Sequence, residues 1–173
     1  MGGGATVKAV SSDLVGESLD LLIRSRQVHL RYIAEFRERV ESDVLRLAIE
    51  RKTDADIDAL EKLLAEARRC IDRGLAAVPD FITADQNIHQ YFSKITSNPI
   101  YISIIKTILS SSRRYWQKYL FKEVSEMDED LRDLENVVAA MKIGDADTAC
   151  KNLRIHVRRF NDYMEIREQQ RKI

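Results

Sequence analysis

The chain is short of the residues that break helices or staple small domains. It holds two prolines and six glycines in 173 residues, with three of the glycines at positions 2–4, so little interrupts a helix in the body of the sequence. Two cysteines, Cys70 and Cys150, offer no disulfide framework and no metal-ligand spacing, and both read as small buried groups in a reducing compartment. Charge of one sign is also lacking: 28 basic residues balance 28 acidic ones, which excludes a global field that would draw the chain onto nucleic acid or an anionic membrane. No apolar run approaches the ~20 residues of a membrane span. Met1-Gly2-Gly3-Gly4 lacks the basic and apolar regions of a signal peptide, so the expected location is cytoplasmic. What remains, 45% hydrophobic and 32% charged, describes one soluble helical domain able to bury a core without disulfides or a structural metal.

Apolar residues recur at spacings of three and four along most of the chain. Ser11-Ser12-Asp13 is an N-cap signal ahead of a short helix carrying Leu14, Leu19, Leu22 and Ile23 to about Ser25. A long helix over about 27–51 carries Leu30, Ile33, Phe36, Val40, Val44, Leu47 and Ala48. The next starts at the Thr53-Asp54 cap and runs to Gly74, a C-cap. Pro79-Asp80 reads as the loop into a helix over about 83–97. Pro99 opens an isoleucine-rich helix to about Phe121, whose length argues against a strand. Ser125 begins another, Gly144 ends it, and Asp145 caps a last helix with Leu153, Val157, Phe160 and Met164 as its core stripe. The expected fold is an all-α antiparallel bundle of about six or seven helices, without repeats.

Three residues stand out against this apolar background. Asp85 and His89 lie one turn apart on a single helix face, and His156 sits on the face of the last helix that also shows Asn152 and Tyr163, two candidate effector contacts. Taken singly, the first two read as an i, i+4 charge pair and His156 as a satisfied core histidine. Taken together, two imidazoles and one carboxylate suit a borderline divalent ion such as Zn, Ni or Mn, with positions left for water or a ligand oxygen. Arg37 lies beside the apolar positions Phe36 and Val40. It reads either as a guanidinium aimed into the bundle to grip a carboxylate or as a solvated partner of Glu41 or Glu38. Arg113 and Arg114 form a second candidate anion contact. Tyr115, Trp116 and Tyr119 suit core or subunit packing, because no basic groove accompanies them for base stacking. His29 reads as a surface or boundary residue.

Four stretches resemble a known family. Glu35-Phe36-Arg37 through Glu41 to Leu47-Ala48, Asp85-Gln86-Asn87-Ile88-His89, Ser97-Asn98-Pro99-Ile100, and Ala140, Gly144-Asp145, Ala149 and His156 are together similar to the FCD domain. FCD is the C-terminal effector domain of the FadR branch of GntR-type bacterial transcription regulators. The resemblance implies an effector contact at Arg37 and a metal site at Asp85, His89 and His156. Metal-binding members carry a third histidine at the place of Leu134, and Ile88 stands where phenylalanine is usual. Residues 1–10 look like the end of the wing of a winged helix-turn-helix domain that would read operator DNA, with 11–173 as the effector and dimerisation domain. The implied partners are a small carboxylate effector, a second copy of the chain, and DNA only through that missing domain. Two other readings remain open: a metal-free sensor of acyl or aromatic acids, suited by Leu134, and a small metal-dependent hydrolase, for which no general base or nucleophile is evident.

Overall fold

A computed structural model describes residues 13–25, 28–119 and 121–170. Among the described residues there are seven α-helices and no strand: α1 (Asp13–Arg24), α2 (Leu30–Arg51), α3 (Asp54–Asp72), α4 (Val78–Ile95), α5 (Pro99–Tyr119), α6 (Val124–Lys142) and α7 (Ala146–Gln170), with a 3-10 turn at Gly74–Ala77. The all-α class and the helix number match the expectation from spacing. The Ser11-Ser12 cap and the wing remnant at 1–10 lie outside the described residues.

Local chemistry sets the helix ends. Thr53 Oγ1 accepts the Asp56 N–H at 3.3 Å while the Asp56 carboxylate accepts the Thr53 N–H at 2.8 Å, so two of the orphan donors at the start of α3 are satisfied reciprocally. Asn98 Oδ1 accepts the Ile100 N–H at 3.0 Å where Pro99 opens α5, and Asp145 Oδ1 accepts the Thr148 N–H at 3.0 Å at the start of α7. Gly144 links α6 to α7 at φ +78°, in the left-handed region that glycine enters without a Cβ penalty.

Two expectations need correction. Pro79-Asp80 is not a loop but the first turn of α4, which begins at Val78. Proline lacks an N–H, and none is needed in a first turn, so the residue that reads as a breaker serves as an opener. Phe36 is 43% exposed rather than part of the core, while Leu45, which the spacing passed over, is fully buried.

Pairs between helices give their directions. Glu38, Ser42 and Arg46 of α2 meet Arg158, Cys150 and Asp147 of α7 in reverse order, so these two helices are antiparallel. Arg68 reaches Glu135 and Glu61 reaches Lys142, which makes α3 antiparallel to α6. Glu41 meets His89 and Arg51 meets Thr96, so α2 and α4 run parallel. The core between them includes Leu45, Leu60, Phe81, Ile88, Phe92, Met127, Leu131 and Met141, each under 2% or at 2% exposure and each contributing ~1.5–3 kcal/mol by burial. Cys70 and Cys150 are free and buried within it, as expected. A smaller cluster of Ile23, Ile33 and Ile108 seats α1 on α2 and α5. No described helix is long and apolar enough to cross a membrane.

Candidate functional site

Four helices each turn a polar residue into this apolar interior. Arg37 and Glu41 come from α2, Asp85 and His89 from α4, Asp130 from α6 and His156 from α7, and all six are buried. On α4 the i, i+4 spacing sets Asp85 one turn from His89, on the stripe that also buries Phe81, Ile88 and Phe92. The Phe92 and His89 rings meet in a T-shaped arrangement with centroids 6.0 Å apart. Polar groups in such surroundings must find partners, since an unsatisfied one costs ~1–3 kcal/mol.

The two imidazoles face each other. His89 Nε2 and His156 Nε2 are 3.0 Å apart, with the rings stacked at a centroid distance of 5.0 Å. Asp85 Oδ1 lies 3.4 Å from His156 Nε2 and 3.7 Å from His89 Nε2, and it is buried without a hydrogen bond. Behind the rings stand two further carboxylates. Glu41 Oε2 pairs with His89 Nδ1, and Glu41 Oε1 accepts from Arg37 Nε at 2.5 Å. Asp130 Oδ1 is 3.3 Å from His156 Nδ1, within ion-pair distance of a buried nitrogen that makes no hydrogen bond. Each ring therefore has a carboxylate at Nδ1 and its Nε2 turned inward.

The charges balance through these contacts. Burial pushes the Glu41 carboxyl up, but Arg37 and His89 outweigh it and hold it at about 2. Burial lowers His89, and Glu41 with Asp85 overcomes this and raises it to about 9. Burial likewise opposes ionisation of Asp85, yet His89 and His156 carry it well below the usual carboxylate range. His156 is raised in the same way, by Asp130 and Asp85 against burial. Asp130 differs: burial lifts it to about 7, His156 pulls it back in part, and the Asp85 charge adds to the rise.

Asp85, His89 and His156 fit a divalent ion. Their inward atoms, separated by 3.0, 3.4 and 3.7 Å, form a triangle close to the roughly 2.8–3.6 Å spacing of neighbouring ligands on an ion with ~2.0–2.2 Å bonds. The unbonded Asp85 oxygen and the carboxylate behind each imidazole are features of the same kind, since a ligating histidine donates its other nitrogen to a carboxylate.

The remaining expected residues divide. Leu134 is packed in the core at 1% exposure, one turn along α6 from Asp130. Arg37 is both buried and paired with Glu41, which merges the two readings of the sequence, and its guanidinium lies 5.7 Å from the centre of the Phe160 ring. Arg113 donates to Thr83 Oγ1 at 2.9 Å, and Tyr163 donates to Glu129 at 3.2 Å. Asn152 is half-buried on α7, one turn before His156. The structure thus brings Arg37 to the cluster through Glu41 and gives Arg113 and Tyr163 other partners. His29 is exposed, as expected, and the side chains of Arg114, Tyr115, Trp116 and Tyr119 lie outside those described. Three surface grooves, of about 550, 140 and 560 Å³, are lined by other residues than the buried cluster.

Comparison with known proteins bears on what such a bundle is. The family model described as the FCD domain matches residues 32–159, most of the chain and all six residues of this buried cluster. The chain belongs to the FCD family. Among solved structures, this FCD chain is similar to E. coli McbR/YncC, with a TM-score of 0.69 and 19% identity over 82% of this chain and 65% of that one. It is also similar to Streptococcus agalactiae GntR, with a TM-score of 0.65 and 18% identity over 77% of this chain and 58% of that one. The chain spans less than two thirds of the length of either, and at these identities the likeness is one of fold. A search of curated proteins finds no match.

Proposed function

We propose that this FCD chain is the effector-sensing and dimerisation domain of a GntR-type transcription regulator of the FadR branch. It takes up a small organic acid in the cytoplasm and modulates operator binding by an N-terminal winged helix-turn-helix domain. The observation that carries this reading is the convergence of Asp85, His89 and His156 within an FCD bundle, with Arg37 joined to it through Glu41. A sensor fits the site better than a hydrolase does, because each carboxylate near the imidazoles lies within ion-pair distance of a histidine or an arginine.

Asp85, His89 and His156 hold a divalent ion, Zn, Ni or Mn, which when bound supplies a Lewis-acidic anchor for an effector oxygen. Arg37 meets the effector carboxylate with its planar fork and gives up part of its contact with Glu41 in exchange. Because Glu41 also holds His89, that exchange is felt on α4 as well as α2, and the bound state favours one arrangement of the helices. The dimer passes this choice to the paired DNA-binding domains, where it alters the fit to two half-sites.

Thermal melts with Zn²⁺ and a panel of small hydroxy- and dicarboxylic acids test the reading, run beside Arg37→Lys, which keeps the charge for Glu41 but loses the fork. The expected result is stabilisation of the wild type by at least one acid in the presence of Zn²⁺, with the acid effect lost in the variant. Equal acid effects in both proteins would contradict the role of Arg37. Leu134 favours a second reading, a metal-free sensor of acyl or aromatic acids, because an apolar side chain stands where metal-binding relatives carry histidine. Stabilisation by such acids without added metal would select it.

A further inference from the structure

The carboxylate behind His156 comes from the same helix as Leu134, one turn earlier, and this juxtaposition has its own consequence. Resting on the reading of Asp85, His89 and His156 as a site for an ion, we propose that Asp130 is the positioning residue of His156. By accepting from Nδ1 it turns Nε2 toward Asp85 and His89, and so maintains a two-nitrogen, one-oxygen site in a chain with leucine at position 134.

Asp130 is 2% exposed, and its Oδ1 lies 3.3 Å from His156 Nδ1, on the side of the ring away from Asp85 and His89. It therefore cannot share an ion with Nε2, but it can determine which nitrogen of His156 carries the hydrogen. Glu41 does the same for His89 from α2, through the contact with Nδ1. The site is thus bracketed by two carboxylate–imidazole pairs of the kind that fix the tautomer and ring orientation of metal-ligating histidines. The α6 residues Met127, Leu131, Leu134 and Val138 around Asp130 are all buried and apolar, so a carboxylate at this position has no account in packing alone. With leucine at 134, α6 reaches the site through this outer contact.

The test compares wild type, Asp130→Ala and Asp130→Asn in two measurements. Nitrogen-15 NMR of the histidine side chains in the metal-free protein reports the tautomer of His156, and Co²⁺ titration reports affinity. The expected result is a hydrogen on Nδ1 of His156 in wild type and Asp130→Asn, whose amide oxygen still accepts, and a mixture of tautomers in Asp130→Ala. Co²⁺ affinity should fall about 10–100-fold in Asp130→Ala and less than about 10-fold in Asp130→Asn, as for loss of an outer-shell partner. An unchanged His156 tautomer in Asp130→Ala overturns the proposal. If Asp130→Ala fails to fold, Asp130→Leu, which matches its apolar neighbours, takes its place with the same expectation. A wild type that takes no Co²⁺ removes the ion from the proposed function, while the tautomer comparison still decides the role of Asp130.

Discussion

At the scale of the residue, Glu41 links two partners from a buried position. One oxygen accepts from Arg37 and the other from His89, so a single side chain ties α2 to α4 and shares its one negative charge between two cations in the interior. Glu41→Leu is close in shape but leaves both partners charged against an apolar group. It should cost ~3–5 kcal/mol in urea unfolding, and Glu41→Gln less, because the amide oxygen still accepts one bond. A loss under about 1 kcal/mol for Glu41→Leu would mean that the chain of contacts is not formed. The sequence displays Glu41 only as the i+4 neighbour of Arg37, and Asp130 only as one of several acids near the start of α6, where carboxylates are favoured by the helix dipole. Their contacts with His89 and His156 span 48 and 26 residues of chain (89 − 41 and 156 − 130), and no local spacing encodes them.

At the scale of the element, the helices were legible because spacing and capping agree. Thr53-Asp54, Pro99 after Asn98, and Gly144 before Asp145 mark boundaries that the structure places within a residue or two of expectation. The misreadings share a cause. Pro79 could close a loop or open a helix, and only the Gly74–Ala77 turn before it decides. Phe36 fits the apolar period of α2 but lines a surface groove with Leu22, Val28 and Tyr32, a matter of which stripe the neighbours cover. Gly144 has open space around a would-be Cβ, so Gly144→Ala tests backbone strain alone. At φ +78° the substitution should destabilise the α6–α7 link by ~1–2 kcal/mol in denaturant unfolding. No change would show that the turn can relax to a negative φ.

At the scale of the whole molecule, the buried charges couple folding to pH. His89 is raised to about 9 from its ordinary 6.5, so the stability it contributes is complete below about pH 6.5 and is lost as pH rises through 9. Asp130, raised to about 7, acts in the same direction at lower pH: its contribution is complete below 3.8 and lost as pH rises through 7. Glu41, held at about 2, works oppositely, with stability present above 4.5 and lost as pH falls through 2. The metal-free protein should therefore lose on the order of 3 kcal/mol between pH 6.5 and 9, followed by urea unfolding at each pH. A flat profile across that range would show that His89 does not hold its proton in the fold.

An ion joining the two imidazoles to Asp85 would lie where their Nε2 atoms face each other, so the central claim is open to direct measurement. Calorimetric titration of Zn²⁺ into the metal-free chain, beside His89→Ala, should show one ion per chain in the wild type and none bound specifically in the variant. No binding by the wild type, or equal binding by both, would contradict a site built from Asp85, His89 and His156.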